Sequence, residues 1–143
     1  MAERSIVVCG LPGAQGSKRF VGISKAGRGI LIESSKKVAP WREAVKWAAL
    51  QPWPHHCITG PVYVGITFTL PRPKSAPKSR IYPDGAPDLD KLCRAVFDSL
   101  TQAGAIEDDS RVVRSSLKKL YVGHADALPH PGAVIHISSM ERE

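Results

Sequence analysis

The chain has 143 residues, with 20 Lys and Arg against 13 Asp and Glu, a formal net charge of +7, and 43% hydrophobic residues. This is the length of one domain, 1–143, able to bury a core without disulfide or metal staples, and no apolar run is long enough to cross a bilayer. The positive excess favours an anionic partner, since basic grooves attract phosphate and release its counterions, although charge alone does not separate DNA from RNA or acidic membranes.

Taken in chain order, Ser5 to Cys9 carries the β-branched residues of a strand and is followed by Gly10, Pro12, Gly13 and Gly16. Lys18 to Lys37 alternates short apolar runs with basic residues and reads as a strand or a hairpin. Pro40 suits a first helical turn, where its missing N–H is no loss. Trp41, Ala44, Val45 and Ala48 then recur at helical spacing, so a helix is expected from Pro40 to Leu50, closed by Pro52 and Pro54. After Gly60-Pro61, residues Val62, Val64, Ile66, Phe68 and Leu70 alternate with Tyr63, Thr67 and Thr69, as in a strand with one face against a core.

Pro71 to Pro87 is a long segment rich in proline and in basic residues (Arg72, Lys74, Lys78, Arg80). A loop of that length in a compact domain is usually functional or disordered. Leu89, Leu92, Cys93, Val96, Phe97 and Leu100 then mark an amphipathic second helix, with Gly104 suited to its C-terminal cap. Arg111 to Val122 and Ala133 to Ser138 read as two strands joined by a loop containing Pro129 and Pro131. The order β(β)αβαββ points to an α/β fold, a two-layer sandwich of a small mixed β-sheet with two main helices.

The chemistry concentrates around that second helix. Asp88 and Asp90 flank Leu89 where the loop meets the helix, and at this junction an extended or half-turned backbone lets both carboxylates share a side. A helix start also favours negative charge, so Asp88 has a second reading as an N-cap. Asp109, in the acidic run Glu107-Asp108-Asp109, lies beyond a helix that carries the chain about 20 Å away. It joins the other two only if the following turn brings it back. Carboxylates at about 4 Å repel by several kcal/mol at an effective dielectric near 20. A divalent cation removes that cost, and oxygen-only ligands suit Mg²⁺ or Mn²⁺.

Pro87-Asp88-Leu89-Asp90-Lys91-Leu92, Ala95-Val96-Phe97-Asp98-Ser99-Leu100-Thr101, Gly104 and Asp108-Asp109-Ser110-Arg111-Val112 together resemble the signature of RusA-type crossover junction endodeoxyribonucleases (Holliday junction resolvases). The match is dense from Asp88 to Val113. Elsewhere it rests on length, element order and a Gly/Pro-rich basic segment from Leu11 to Arg19. The resemblance implies a RusA-like fold and a homodimer that binds branched DNA (four-way junctions) by shape. It implies paired nicks in opposing strands with Mg²⁺ or Mn²⁺, in DNA recombination and repair.

By motif position the family's essential aspartates fall on Asp88, Asp90 and Asp109, the expected metal ligands. Its catalytic lysine falls on Arg94. Arginine cannot release a proton at working pH, so it would neutralise a phosphate without acting as an acid, and Lys91, one turn earlier, is the alternative ammonium. Pro87 stands where the family often has a basic residue.

Other readings stay open beside these. Arg94, one turn from both Asp90 and Asp98, also fits an i,i+4 salt-bridge stripe, and Asp98 reads as structural. Asp108 is a candidate supporting residue. Lys18, Arg19, Arg72, Lys74, Lys78 and Arg80 are candidate DNA contacts, and some of Arg111, Arg114, Lys118 and Lys119, which alternate along a strand, are expected to join the same surface. His55-His56-Cys57 lacks the spacing of a structural zinc site and reads as a loop. The tryptophans Trp41, Trp47 and Trp53 are core or dimer contacts, and Cys93 is a small core residue.

Three widely spaced cysteines and a start unlike a signal peptide suggest reduced thiols in a cytoplasmic setting, in a bacterial or phage-infected cell, with no membrane partner. Two alternatives accompany the resolvase reading. One is a catalytically impaired junction- or DNA-binding protein on the same fold. The other is a metal-dependent nuclease without junction preference.

Overall fold

A computed structural model of the chain describes residues 2–16, 18–23, 29–33, 36–51 and 56–140. The elements run β1 (Glu3–Cys9), β2 (Lys18–Ile23), β3 (Gly29–Glu33), α1 (Val38–Ala49), β4 (Val62–Leu70), α2 (Leu89–Ala103), a 3₁₀ turn (Asp109–Arg111), β5 (Val112–Tyr121) and β6 (Gly132–Ser139). Four strands form one sheet in the order β1-β6-β4-β5, and β2 pairs with β3 in a separate hairpin. The main sheet is mixed: β6 lies antiparallel to both β1 and β4, while β4 and β5 are parallel. The α/β sandwich expected from the element order is therefore present.

The alternation in β4 explains how the layers meet. Val62, Val64, Ile66 and Phe68 are buried in one apolar cluster with Trp41 and Val45 of α1, Leu92, Val96 and Leu100 of α2, and Ile135 and Ile137 of β6. Each such side chain contributes about 1.5–3 kcal/mol when fully removed from water. The opposite face of β4 is not wholly open, as strict alternation would have it. Thr69 is buried, because its hydroxyl accepts from the Leu128 N–H (3.0 Å) and the 123–131 segment covers that end.

The first helix starts two residues earlier than Pro40 suggests. Pro40 is its third residue, where an N–H would still lack an intrahelical partner. The far end of α1 is tied to β1 by Arg4, whose Nη2 donates to the carbonyls of Ala49 (2.7 Å) and Gln51 (3.0 Å). Burial lowers the pKa of Arg4. Trp41 is core and Trp47 is 65% exposed, while Trp53 lies outside the described residues.

The 71–87 segment has no regular structure, yet it is braced. Arg72 donates to the carbonyls of Pro77 (2.6 Å) and Arg80 (2.7 Å) and its guanidinium lies over the Tyr121 ring, 5.0 Å from the centroid. From β5, Lys119 Nζ donates to the carbonyls of Gly85 (2.8 Å) and Pro87 (2.9 Å). These contacts deliver the chain to the start of α2.

Candidate functional site

Asp88 is the N-cap residue of α2, extended at φ −70°, ψ 137°, and its side chain makes no cap hydrogen bond. The capping reading of Asp88 therefore holds for its position only. Its carboxylate instead lies 3.5 Å from Lys91 Nζ, an exposed pair of small energetic weight. Asp90, in the first helical turn, is exposed and has no hydrogen bond or ion pair among the described residues.

Asp109 is brought against α2 by a pinned turn. Gly104 caps α2 in the left-handed region (φ 76°). Ala105 and Ile106 are then buried, with the Ala105 carbonyl accepting from Ile58 N–H (2.9 Å) and Ile106 bridged to Ile58. Pinned there, the chain makes a 3₁₀ turn beside the second half of α2. Asp108 caps that turn by accepting from the Ser110 N–H (2.9 Å) and hydroxyl (2.6 Å), which lowers its pKa. Asp109 accepts from the Thr101 hydroxyl and has the Asp98 carboxyl within hydrogen-bond reach. Burial raises the pKa of Asp109, and Asp98 raises it further, against the opposing effect of Thr101.

The three aspartates singled out by sequence thus do not stand as one cluster. Among the described residues no three His, Cys, Asp or Glu side chains are grouped so as to hold a metal ion. The carboxylates instead distribute along one side of α2. Eight residues, about 12 Å of helix, separate Asp90 from Asp98. Cys93 lies between the two ends: burial, then the charges of Asp109 and Asp90, push its thiol up to about 11.

Arg94 occupies the same side, one turn after Asp90 and one before Asp98. It is exposed and forms no ion pair with either among the described residues, so the salt-bridge stripe is not made. Its guanidinium is instead close against Gly16, where an added Cβ would meet Nη1 at 2.5 Å. The segment from Leu11 to Gly16 forms a strap that passes the start of α1 at Gly13 and reaches α2 at Gln15 and Gly16. Gln15 N–H donates to the Lys91 carbonyl (3.0 Å), and its side-chain amide donates to Asp98.

The basic residues divide by task. Arg72 and Lys119 both donate to loop carbonyls, contacts that brace the 71–87 segment. Lys74, Lys78, Arg114 and Lys118 are exposed. Arg80 is 3.7 Å from Asp84, and Arg111 is 3.9 Å from Glu107. Lys18 and Arg19 open β2, and their side chains lie outside the described residues. His55 is also outside them; His56 and Cys57 are exposed.

The family description endodeoxyribonuclease RusA matches residues 12–128, spanning the strap, both helices, the braced loop and β5. The chain belongs to the RusA endodeoxyribonuclease family. It is also 32% identical to the uncharacterized protein YqaN of Bacillus subtilis (strain 168), across 80% of this chain and 84% of that protein.

Within this RusA family member, sequence reasoning missed Gln15, Thr101 and the part Asp98 plays. Asp98 had a signal, its place two turns after Asp90 on one helix face. Gln15 had none, because only the folded strap brings it there. No helix among the described residues is long and apolar enough to cross a membrane.

Proposed function

We propose that this protein is a structure-selective, divalent-metal-dependent endonuclease that resolves four-way DNA junctions by paired nicks, acting as a homodimer in recombination and repair. One observation carries the reading. The α2 face presents Asp90 and Arg94, neither with an ion-pair partner among the described residues, on the helix that also carries Asp98 of the Asp98–Asp109 carboxyl pair, all inside the family-matched segment. Two active sites are what paired nicks require, and this supports the dimer.

The donor set suits Mg²⁺ or Mn²⁺ in kind, since every group is an oxygen. In position, the fit is best at Asp109, where two carboxyls in mutual reach call for a shared proton or a cation. Asp88, Asp90 and Asp109 would be its ligands by motif position, although among the described residues they do not converge on one point. A bound cation would offset charge building on the phosphate and lower the pKa of a water. Arg94 neutralises a phosphate oxygen but cannot give up a proton. Lys91 supplies an ammonium nearby, and it is engaged with Asp88.

The test is cleavage of a synthetic four-way junction with and without Mg²⁺, set against linear duplex and flap substrates. Asp90→Asn should abolish cutting while sparing binding; unchanged cutting removes Asp90 from the mechanism. Equal cutting of all substrates replaces the resolvase with a general nuclease. The second reading, a DNA-binding protein impaired in catalysis, is favoured by Arg94 standing in the lysine's place. Normal junction affinity without cleavage at any Mg²⁺ or Mn²⁺ concentration would establish it.

A further inference from the structure

Next to Asp88 the surface opens into a cleft of about 720 Å³ between the strap and the braced 71–87 loop. Lys36, Lys37, Arg80 and Lys91 line it, against one acid, Asp88, among the described residues. Lys36 and Lys37 are exposed and have no acidic partner among the described residues, so their charge is uncompensated. The remaining lining is largely apolar, including Leu11, Leu70, Pro71 and Pro83. A cationic wall over an apolar floor matches a sugar–phosphate backbone, whose charge lies on one side and whose sugars and bases present apolar surface. The cleft is preformed, because Arg72 and Lys119 fix the loop that makes its outer wall. Its volume is that of an ordinary ligand pocket, suited to a short stretch of one strand rather than to a double helix.

We infer that this cleft holds a single DNA strand and leads it to the Asp88 end of α2, with Lys36 and Lys37 as its principal phosphate contacts. The inference rests on the DNA reading above. It adds a track that neither the motif nor the acidic residues mark, since Lys36 and Lys37 lie outside the segment where the family resemblance is dense.

The experiment measures binding of a fluorescent single-stranded oligonucleotide and of a four-way junction, without divalent metal, in an Asp90→Asn background, from about 50 to 200 mM salt. Lys36→Glu/Lys37→Glu should weaken strand binding at least tenfold and reduce the slope of log affinity against log salt by about 1.4, the single-strand value for two lost phosphate contacts. Lys36→Gln/Lys37→Gln, which removes charge without reversing it, should give the same fall in slope with an unchanged melting temperature. The charge-matched Arg42→Glu/Lys46→Glu variant should cost less than threefold.

An unchanged slope in both lysine variants, or an equal loss in the Arg42/Lys46 variant, overturns the inference. The parent chain's junction cutting is assayed separately, so the two readings fail apart. A protein that cuts but shows unchanged slopes loses the cleft. One that never cuts but loses slope with the lysines keeps the cleft and loses the nuclease.

Discussion

The side-chain amide of Gln15 donates a hydrogen bond to Asp98, joining residues 83 positions apart in the chain. Asp98 in turn lies within hydrogen-bond reach of Asp109. An N-terminal strap is thereby connected to Asp109, the carboxylate beside α2 whose pKa is raised.

Replacing Gln15 tests that connection. Gln15→Leu removes a partly buried donor to a charged acceptor, at a cost of about 1.5–3 kcal/mol, readable by urea denaturation. Gln15→Glu adds a third carboxylate beside Asp98 and Asp109 and should be worse at neutral pH than at pH 4. If both variants stay within about 0.5 kcal/mol of the parent chain, the range of ordinary surface changes, the strap is not held by this bond.

Asp109 supplies a pH prediction with a definite sign. Its pKa is raised in the folded chain, so the folded state favours its protonated form. The stability this gives is fully present below the unfolded pKa and is lost as pH rises through the folded value. Asp109→Asn, which mimics the protonated carboxyl and keeps an acceptor for Thr101, should therefore melt higher than the parent chain at pH 7, with the gap closing under acid. A lower melting temperature at pH 7 contradicts this, because it would mean that the ionised form is the one the fold prefers.

Arg94 separates charge from proton transfer. Arg94→Ala should slow junction cutting about a hundredfold, the usual loss when one group stabilising developing charge is removed. Arg94→Lys should cut at least as fast as the parent chain, since it keeps a cation and adds a group able to release a proton. Slower cutting by the lysine variant at every pH would show that the arginine acts by its forked geometry instead.

Arg72 should behave as a brace. Arg72→Ala removes two carbonyl contacts and the stacking on Tyr121, with an expected loss of about 1 kcal/mol at this exposed position. Limited proteolysis should then nick the 73–86 segment sooner. A fall in junction affinity with no change in melting temperature or nicking would return Arg72 to the DNA-contacting group.

Cys93 reports on the site's charge. With its pKa near 11, the thiol should resist alkylation at neutral pH, and Asp90→Asn or Asp109→Asn should shift the alkylation midpoint downward by removing a nearby negative charge. A midpoint near that of a free thiol in the parent chain would place Cys93 outside the influence of both carboxylates.

Sequence alone determined a good deal of this protein. The period of two in Val62 to Leu70 and the helical spacing from Leu89 to Leu100 are local patterns, set by which side of a strand or helix meets the core, so the α/β class was legible in them. The acidic and Gly104 positions around α2 were legible as a family signature. What only the tertiary structure decided was where those acids stand. Asp109 depends on the pinning of Ala105 and Ile106 against Ile58, a contact nearly 50 residues away in sequence. The same holds for Arg72, whose contacts with Pro77, Arg80 and Tyr121 exist only in the folded loop, and for Gln15, which gains a role only when the strap crosses α2. Periodicity reports the face a residue presents; which carboxylates become neighbours is fixed by turns and long-range pairing, and these carry no periodic signal.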